Sequence, residues 1–341
     1  MGNKGLAWLA SLAALAVIAA VFVSRANGPK ADPLAGQLIL PEVAQRLGDV
    51  GRMAVVHGDQ KTTLVRAGDS WSVEERGGYT ADTTKVRQAL LGLADLRYVE
   101  PKTAKPDSYR RLEVEDAGGK DSKSTLITLA DAKGVVMGEV ITGKHSPDQL
   151  GGGEGGVYVR KPGNVQSWLA RGNVDLPTTT PAWLDKTVLD LPVAQVKQAV
   201  LTQPEGTSVT ITRDKPEDKL KLAEMPKDKK LKYESVLDDS AGVLGGLQLE
   251  DVRPAKDFDF PQSGVTRAKF VSFAGLTVGV ELADKDGASW ARFTASGTGD
   301  AEKQAADLNA RLSPWIYALS SFKAKTLRDK LDDLVEAPKA S

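Results

Sequence analysis

The residues of this chain that could do chemistry are few and scattered. The only histidines are His57 and His145. His57 lies at the end of a predicted strand, beside a Gly-Asp turn, and His145 lies in the turn-like segment 144–148. A Ser-His-Asp grouping needs a histidine oriented by a carboxylate and a serine presented by defined local geometry. The sequence around both histidines predicts no such geometry, so we assign neither of them a catalytic role.

A glycine-rich segment matches the dinucleotide-binding fingerprint in form only. Gly151, Gly153 and Gly156 have the GxGxxG spacing. The fingerprint binds pyrophosphate because a helix follows it and turns its N-terminus toward the phosphates. Here Val157-Tyr158-Val159 predicts a strand instead. We therefore expect a loop between two strands of a meander, and no cofactor.

Paired acidic residues could in principle supply the two carboxylates of a glycoside hydrolase. The chain has three candidate pairs, Glu74-Glu75, Asp238-Asp239 and Asp332-Asp333. They occur in polar stretches without clustered aromatic residues to hold a sugar, which favours solvated surfaces. The run of residues 227–230 (KDKK) could touch anionic head groups, but its mixed charge is typical of an ordinary loop.

Composition excludes several further classes of function. The chain has no cysteine, which excludes disulfides, thiolate metal sites, a cysteine nucleophile and an acylated cysteine. Two histidines are too few for a histidine-rich metal centre. Lys plus Arg number 45 and Asp plus Glu number 45, and this balance argues against nucleic acid as a partner. We predict no catalytic, cofactor-binding or metal-binding residues.

The strongest single signal is the apolar segment Leu6–Val23, which contains no charged residue. As a helix it is about 27 Å long, close to the thickness of a hydrocarbon core. A cleaved signal peptide is the alternative, although its apolar core is usually shorter and residues 24–26 (SRA) fit a cleavage site loosely. We predict an uncleaved anchor at 1–26 and a polar linker at 27–40. The short head before the segment favours a single pass through the inner membrane, with the rest of the chain in the periplasm.

The remaining sequence predicts an α+β fold with mainly antiparallel sheets. Alternating apolar residues predict strands near 53–57, 63–66, 71–73, 126–129, 135–141, 157–159, 193–201, 209–211, 269–273, 276–282 and 289–294. Helices are predicted from a cap at Asp82, Thr83 or Thr84 through Leu96, with Val86, Leu90, Leu91 and Leu93 on the buried face, and near 165–170, 181–184, 233–244, 301–312 and 315–334. The tryptophans beyond the anchor are expected to pack in the core.

The second part of the chain repeats features of the first. Residues 90–101 align without gaps on residues 243–254, an offset of 153, and share an apolar helix end followed by L-x-x-V-x-P. Tyr109 falls near the place of Phe260, and Trp168 matches Trp315 at a smaller offset. Chance matches of this kind do occur. We nevertheless predict two duplicated α+β domains, at 41–190 and 191–337.

Taken together, these features resemble one family of bacterial envelope proteins, domain of unknown function 4340. The resemblance rests on the strand with Arg66 and Trp71, the capped helix, the L-x-x-V-x-P exit, the segment with Trp168 and the second set of these parts. The second set departs from the pattern, because residues 219–222 replace a tryptophan-bearing strand. The resemblance implies a single-span protein encoded beside ABC-type transport components, similar to gliding-motility auxiliary subunits. The family has no established catalytic residues to carry over.

Three functions remain open. The first is a non-enzymatic, membrane-anchored accessory or scaffold protein of an envelope ABC-type transport complex, with the membrane and the transporter subunits as partners. The second is an envelope hydrolase that acts on cell-wall or glycan material through carboxylates. The third is a structural envelope protein that oligomerises through its sheet edges.

Overall fold

A computed structural model of the chain describes residues 32–147 and 155–337. In that part the fold is mixed α/β, and it contains two nine-stranded sheets and a two-stranded ribbon. All strand pairs in these ranges are antiparallel. None of their helices has the length and apolar character needed to cross a bilayer. The predicted anchor Leu6–Val23 lies outside the described residues.

The first sheet contains the strands β1 Val50–His57, β2 Gln60–Ala67, β3 Ser70–Val73, β4 Tyr79–Thr80, β5 Arg97–Pro101, β6 Thr125–Asp131, β7 Val136–Ser146, β8 Gly156–Arg160 and β9 Ser167–Arg171. Its strand order is β4-β3-β2-β1-β6-β7-β8-β9-β5.

The rest of the chain contains the strands β10 Thr187–Leu189, β11 Val196–Thr202, β12 Ser208–Thr212, β13 Lys221–Leu222, β14 Lys230–Leu231, β15 Leu247–Pro254, β16 Thr266–Ser272, β17 Thr277–Lys285, β18 Ala288–Ser296, β19 Trp315–Leu319 and β20 Val335–Glu336. The second sheet has the order β13-β12-β11-β16-β17-β18-β19-β15-β10, and β14 pairs with β20 in the ribbon.

Short helices connect these strands. They are α1 Pro41–Gln45, α2 Thr83–Asp95, α3 Tyr109–Leu112, α4 Val236–Ala241, α5 Ala301–Leu312, α6 Ser321–Leu327 and α7 Leu331–Leu334. Single 3₁₀ turns cover Leu47–Asp49, Glu74–Arg76, Pro106–Ser108, Thr180–Trp183, Val193–Gln195 and Ala255–Asp257.

Eight strands follow the same order in both sheets. Each of β1–β3 and β5–β9 has a counterpart ten strands later with the same neighbours. The register also agrees at one end. Pro101 of β5 pairs with Trp168 of β9, and Pro254 of β15 pairs with Trp315 of β19. The two halves of the chain therefore build sheets of one topology.

Helix α2 begins as its sequence predicts. The Asp82 carboxylate accepts hydrogen bonds from the backbone N–H groups of Thr84 and Lys85 at 3.0 and 3.1 Å. This satisfies two donors that the first turn leaves free. The predicted buried face is wrong at Leu91, which is 53% exposed, whereas Ala89 is buried.

Two helix predictions fail at tryptophans. Residues 165–170 do not form a helix, because Trp168 lies in β9 between β8 and β5. The predicted helix at 315–334 begins instead with the strand β19, and α6 and α7 follow it. Both strands are short apolar runs buried on two faces. Without alternation, such a run cannot be distinguished from a buried helix by its sequence period.

One hydrophobic core runs through both halves of the chain and includes Trp71, Trp168 and Trp183 as predicted. At the junction, Tyr79 of β4 packs edge-on against Trp315, with ring centroids 5.0 Å apart. Tyr79 is buried, and this burial raises the pKa of its phenol to about 12. The two sheets are thus packed against each other through apolar surface.

Each sheet carries a smaller apolar cluster on its outer face, under the segment that connects two of its strands. The first crossover, residues 102–124, joins β5 to β6, and its cluster contains Tyr109, Val114 and Ile141. The second crossover, residues 255–265, joins β15 to β16, and its cluster contains Phe258, Phe260 and Trp290. Tyr109 and Phe260 thus both lie in crossovers.

The folded part begins within the segment assigned to a linker. The N–H of Ile39 donates to the carbonyl of Leu96 at 2.9 Å, and Ile39 and Leu40 are buried. At the other predicted boundary, β10 precedes residue 191 but pairs with β15 of the second sheet. Contacts thus cross both predicted boundaries, one through the buried residues 39–40 and the other through the strand β10.

Candidate functional site

Within residues 32–147 and 155–337, the two histidines contact no carboxylate that could orient them as a catalytic base. His57 ends β1, and its Nδ1 lies 3.0 Å from the Thr125 hydroxyl on β6. This contact ties two strand ends together. His145 is exposed on β7 and pairs in register with Val157. Among the described residues, neither ring is hydrogen-bonded to a carboxylate, the group that orients a catalytic histidine.

The glycine motif falls partly outside the described residues, which include Gly156 but not Gly151 or Gly153. Gly156 opens β8, so a strand follows the motif as predicted. A Cβ at Gly156 would lie 2.9 Å from the carbonyl oxygen of Ala170. Close packing of β8 on β9 is therefore a structural reason for glycine at this position.

The three acidic pairs have different surroundings. Glu74 forms an ion pair with Arg52, and Glu75 accepts a hydrogen bond from the N–H of Thr63 at 2.7 Å. One member of each of the other two pairs, Asp239 and Asp333, lines a cleft of about 250 Å³. The tertiary structure thus brings together two carboxylates that are 94 residues apart in the chain.

We call this site the acidic cleft; it is lined by Asp239, Asp329 and Asp333 together with Ser240, Tyr233 and Phe322. The Ser240 hydroxyl donates to Asp329 Oδ2 at 2.6 Å. Burial raises the pKa of the Asp329 carboxyl above its usual value, and the neighbouring charges of Asp333 and Asp239 add to this, although the Ser240 hydrogen bond opposes it. Asp329 has no acidic neighbour in the chain, so its sequence context does not mark it as a candidate.

A carboxyl group with a raised pKa in a cleft can serve as a proton donor. Asp329 also has a structural role, because it ties α4 to the turn between α6 and α7 through Ser240. Its backbone carbonyl accepts a hydrogen bond from the Gln203 side chain at 3.2 Å. These bonds explain the position of Asp329 without any reaction.

A second cleft, of about 610 Å³, lies where the two halves meet and is lined by Lys61, Glu75, Arg76 and Glu250. Beside it, Arg76 forms a two-pronged ion pair with Asp251 at 2.6 and 3.0 Å. Both side chains are 23% exposed. This pair joins the turn after β3 to β15 of the other half, so it holds the two halves together.

The largest of these surfaces lies on the outer face of the second sheet. This basic groove, of about 620 Å³, is lined by Arg267, Lys269, Thr277, Gly279, Glu281, Arg292 and Thr294, among others. Arg267 and Arg292 both donate to the Glu281 carboxylate, at 3.0 and 2.6 Å. Burial by itself would raise the pKa of Glu281, but the two arginines hold it below its usual value.

The basic groove was not predicted, although the sequence of one of its strands contains a signal for it. Arg267 and Lys269 occupy alternate positions of β16, and alternate residues of a strand share a face. Which strands lie beside β16, however, is a property of the sheet. The basic run at 227–230 proves to lead into the ribbon, where Lys230 pairs with Glu336 at 3.2 Å.

A family model described as domain of unknown function (DUF4340) matches residues 71–261, more than half of the chain. The chain belongs to this family. The matched DUF4340 span begins at Trp71 in β3 and ends in the second crossover, so it includes strands of both sheets. No curated protein matches the chain. Membership of DUF4340 thus supports the predicted resemblance, and the family's description assigns no activity.

Proposed function

We propose that this protein is a non-enzymatic, membrane-anchored accessory or scaffold subunit of an envelope ABC-type transport complex. The observation that carries the proposal is the architecture of the described residues. Two sheets of one topology share a single core, and the outer face of one presents a large charged groove. An exposed charged groove suits protein binding, because complementary charge selects a partner and fixes its orientation. The residues that sequence analysis considered for catalysis mainly make structural contacts.

We propose further that the two sheets arose by duplication of one α+β unit. The shared order of eight strands supports this, and so does a shared irregularity. The register of β1 against β6 shifts between Val50 and Arg52, and that of β11 against β16 shifts between Val196 and Gln198. A bulge in the same place is unlike a chance match, because bulges are specific features of a sheet.

The segment Leu6–Val23 is the proposed anchor, with the two sheets in the periplasm. Its support is the uncharged sequence of 18 residues. Alkaline phosphatase fused to the C-terminus should be active in whole cells, and a fluorescent protein that folds only in the cytoplasm should be dark in the same position. Deletion of residues 1–26 should release the protein from the membrane fraction. Membrane retention of the deleted form would contradict the anchor.

The partnership with transporter subunits is tested by affinity purification in mild detergent at native expression. The tagged full-length chain should recover a permease and an ATPase subunit. A control bait, in which residues 1–40 carry an unrelated periplasmic domain, should recover neither. Recovery of the full-length chain alone would count against the accessory role, and equal recovery by the control would show that the anchor is sufficient.

A second candidate function, the envelope hydrolase, draws its support from the acidic cleft. There Asp329 has a raised pKa beside Asp239 and Asp333. The test incubates the purified full-length protein, and its Asp329→Asn variant, with cell-wall glycan. We expect no release of reducing ends by either protein. Release by the wild type that the variant abolishes, while it stays folded, would favour the hydrolase.

A further inference from the structure

Corresponding positions on the outer faces of the two sheets carry different side chains. In the first sheet, three residues lie side by side across β6, β7 and β8: Leu126, Ile141 and Arg160. In the second sheet, the row across β16, β17 and β18 is Arg267, Glu281 and Arg292. The arginine on the third strand is common to both rows. The two apolar positions of the first row are charged in the second.

The first crossover covers its row. Leu112 and Val114 pack with Ile141 and Leu126 in the outer cluster. Arg160 stacks on the ring of Tyr109 at 4.6 Å, donates to the carbonyl of Val114 at 2.7 Å and forms an ion pair with the Asp116 carboxylate.

The approach of this segment to the sheet is close. A Cβ at Gly143 of β7 would lie 2.2 Å from the Leu112 carbonyl oxygen. Residues 112–116 therefore lie directly over β7 and β8 and supply a carboxylate to the arginine.

The second crossover leaves its row open. It spans residues 255–265, about half the length of the first crossover, and its aromatic residues pack at the Trp290 end of the face. Arg292 stacks on Phe260 at 4.5 Å, as Arg160 does on Tyr109. Its carboxylate, however, comes from Glu281 in the sheet itself. Arg267 remains 60% exposed beside it.

The basic groove carries more positive than negative charge. Three cationic side chains, Arg267, Lys269 and Arg292, share it with one carboxylate, Glu281. Among the described residues, Lys269 has no ion pair. Gly279 lies on the floor between them without a side chain, and the Thr294 hydroxyl leans over it, since a Cβ at Gly279 would lie 2.6 Å from that oxygen. The room for a chain is the groove's volume of about 620 Å³, and three cations beside one carboxylate leave an excess of positive charge to hold one.

We propose that the basic groove binds an extended, carboxylate-rich segment of a partner protein, which lies over β16–β18 as residues 112–116 lie over β7 and β8. The segment supplies carboxylates to Arg267 and Lys269, and its backbone runs along the floor formed by Gly279 and Thr294. The proposal depends on the proposed function in one respect: both take the protein to be a binding module. A peptide tests the groove by itself, so its failure is distinct from failure to recover transporter subunits.

The probe is a fluorescein-labelled peptide with the sequence of residues 112–117 (LEVEDA). Its control is the same peptide with the three acids replaced by their amides. Titration with the purified full-length protein should raise the polarisation of the acidic peptide and leave that of the amide peptide unchanged. The binding should weaken as salt rises, because the contacts are exposed ion pairs.

Two pairs of substitutions locate the binding. Arg267→Gln with Lys269→Gln should weaken it about tenfold, because each substitution removes one exposed ion pair with the peptide. Arg87→Gln with Lys303→Gln removes the same charge from two exposed helix positions and should leave the affinity unchanged.

Three results would overturn the proposal. The first is the absence of polarisation change up to about 1 mM protein, which corresponds to only about 4 kcal/mol of binding. The second is equal affinity of the acidic and amide peptides, or of the two double variants. The third concerns competition: inorganic phosphate displaces the labelled peptide at the same concentration that unlabelled peptide requires. That result would indicate a simple anion site.

Discussion

Asp329 is the residue at which burial and charge conflict most clearly. Its carboxyl is half-buried, and its pKa is raised in the folded protein. The folded state therefore binds the proton more tightly than the unfolded chain does, whose aspartates titrate at about 3.9. The contribution of Asp329 to stability is present below that pH and is lost as the pH rises through the higher, folded-state pKa.

The Asp329→Asn substitution should make this dependence visible. The amide oxygen can still accept the Ser240 hydrogen bond, and the side chain no longer ionises. The free energy of unfolding of the variant, relative to wild type, should increase between about pH 4 and pH 7, measured by urea denaturation. Asp228→Asn, in an exposed loop, is the control for the removal of one carboxylate and should change the free energy of unfolding at neutral pH by less than about 0.5 kcal/mol. A pH-independent difference for Asp329→Asn would contradict the assignment.

The Arg76–Asp251 pair is the polar link between the two halves. Arg76→Met should lower the free energy of unfolding by about 2 kcal/mol, because it leaves a largely buried carboxylate without its strongest donor. Arg52→Met removes an arginine from the exposed pair with Glu74 and should cost less than about 1 kcal/mol. Equal urea midpoints for the two variants would show that Asp251 is solvated.

At the scale of elements, the turn after Glu74–Arg76 lies directly against β15 of the other half. Gly77 has φ +64° in the left-handed region, and a Cβ there would lie 2.4 Å from Pro254 Cγ in β15. Gly78 has φ +85° with open space around it. Both glycines thus have a left-handed backbone, but only Gly77 lies against Pro254.

Gly77→Ala should therefore destabilise more than Gly78→Ala. Both substitutions incur the left-handed strain of about 1–2 kcal/mol. Gly77→Ala adds overpacking against Pro254, expected at about 1 kcal/mol or more. Urea denaturation of the two variants measures the difference. If Gly78→Ala proved equal or worse, the contact between this turn and β15 would be looser than the structure shows.

At the scale of the whole molecule, the shared core predicts that both halves unfold together. Calorimetry of the wild type should show one transition whose calorimetric and van 't Hoff enthalpies agree. Tyr79→Ala should cost about 3 kcal/mol and separate the transition into two, because it opens a cavity at the junction beside Trp315. Tyr109→Ala truncates an equally buried tyrosine outside the junction and should destabilise without separating the transition. A split transition in the wild type would mean that the halves are independent.

Much of this architecture could be predicted because it depends on local pattern. Alternating residues fixed most of β1, β2, β17 and β18, and the chemistry of the Asp82 cap fixed the start of α2. The predictions failed where the periodicity of apolar residues could not distinguish a strand from a helix. β9 and β19 are apolar runs around Trp168 and Trp315, and only their place between two other strands makes them extended. Leu91 is exposed because helix α2 packs with a narrower face than its apolar residues suggest.

The sequence by itself determined the uncharged segment Leu6–Val23, the family, the predominance of antiparallel strands and the repeated L-x-x-V-x-P motif, since each is written in neighbouring residues. The tertiary structure decided which side chains come into contact. It brought Asp329 into one cleft with Asp239 and Asp333, joined Arg76 to Asp251 and set Arg267 beside Glu281 and Arg292. Such groupings depend on strand order and on contacts between residues up to 175 positions apart in the chain, and no local periodicity of the sequence records them.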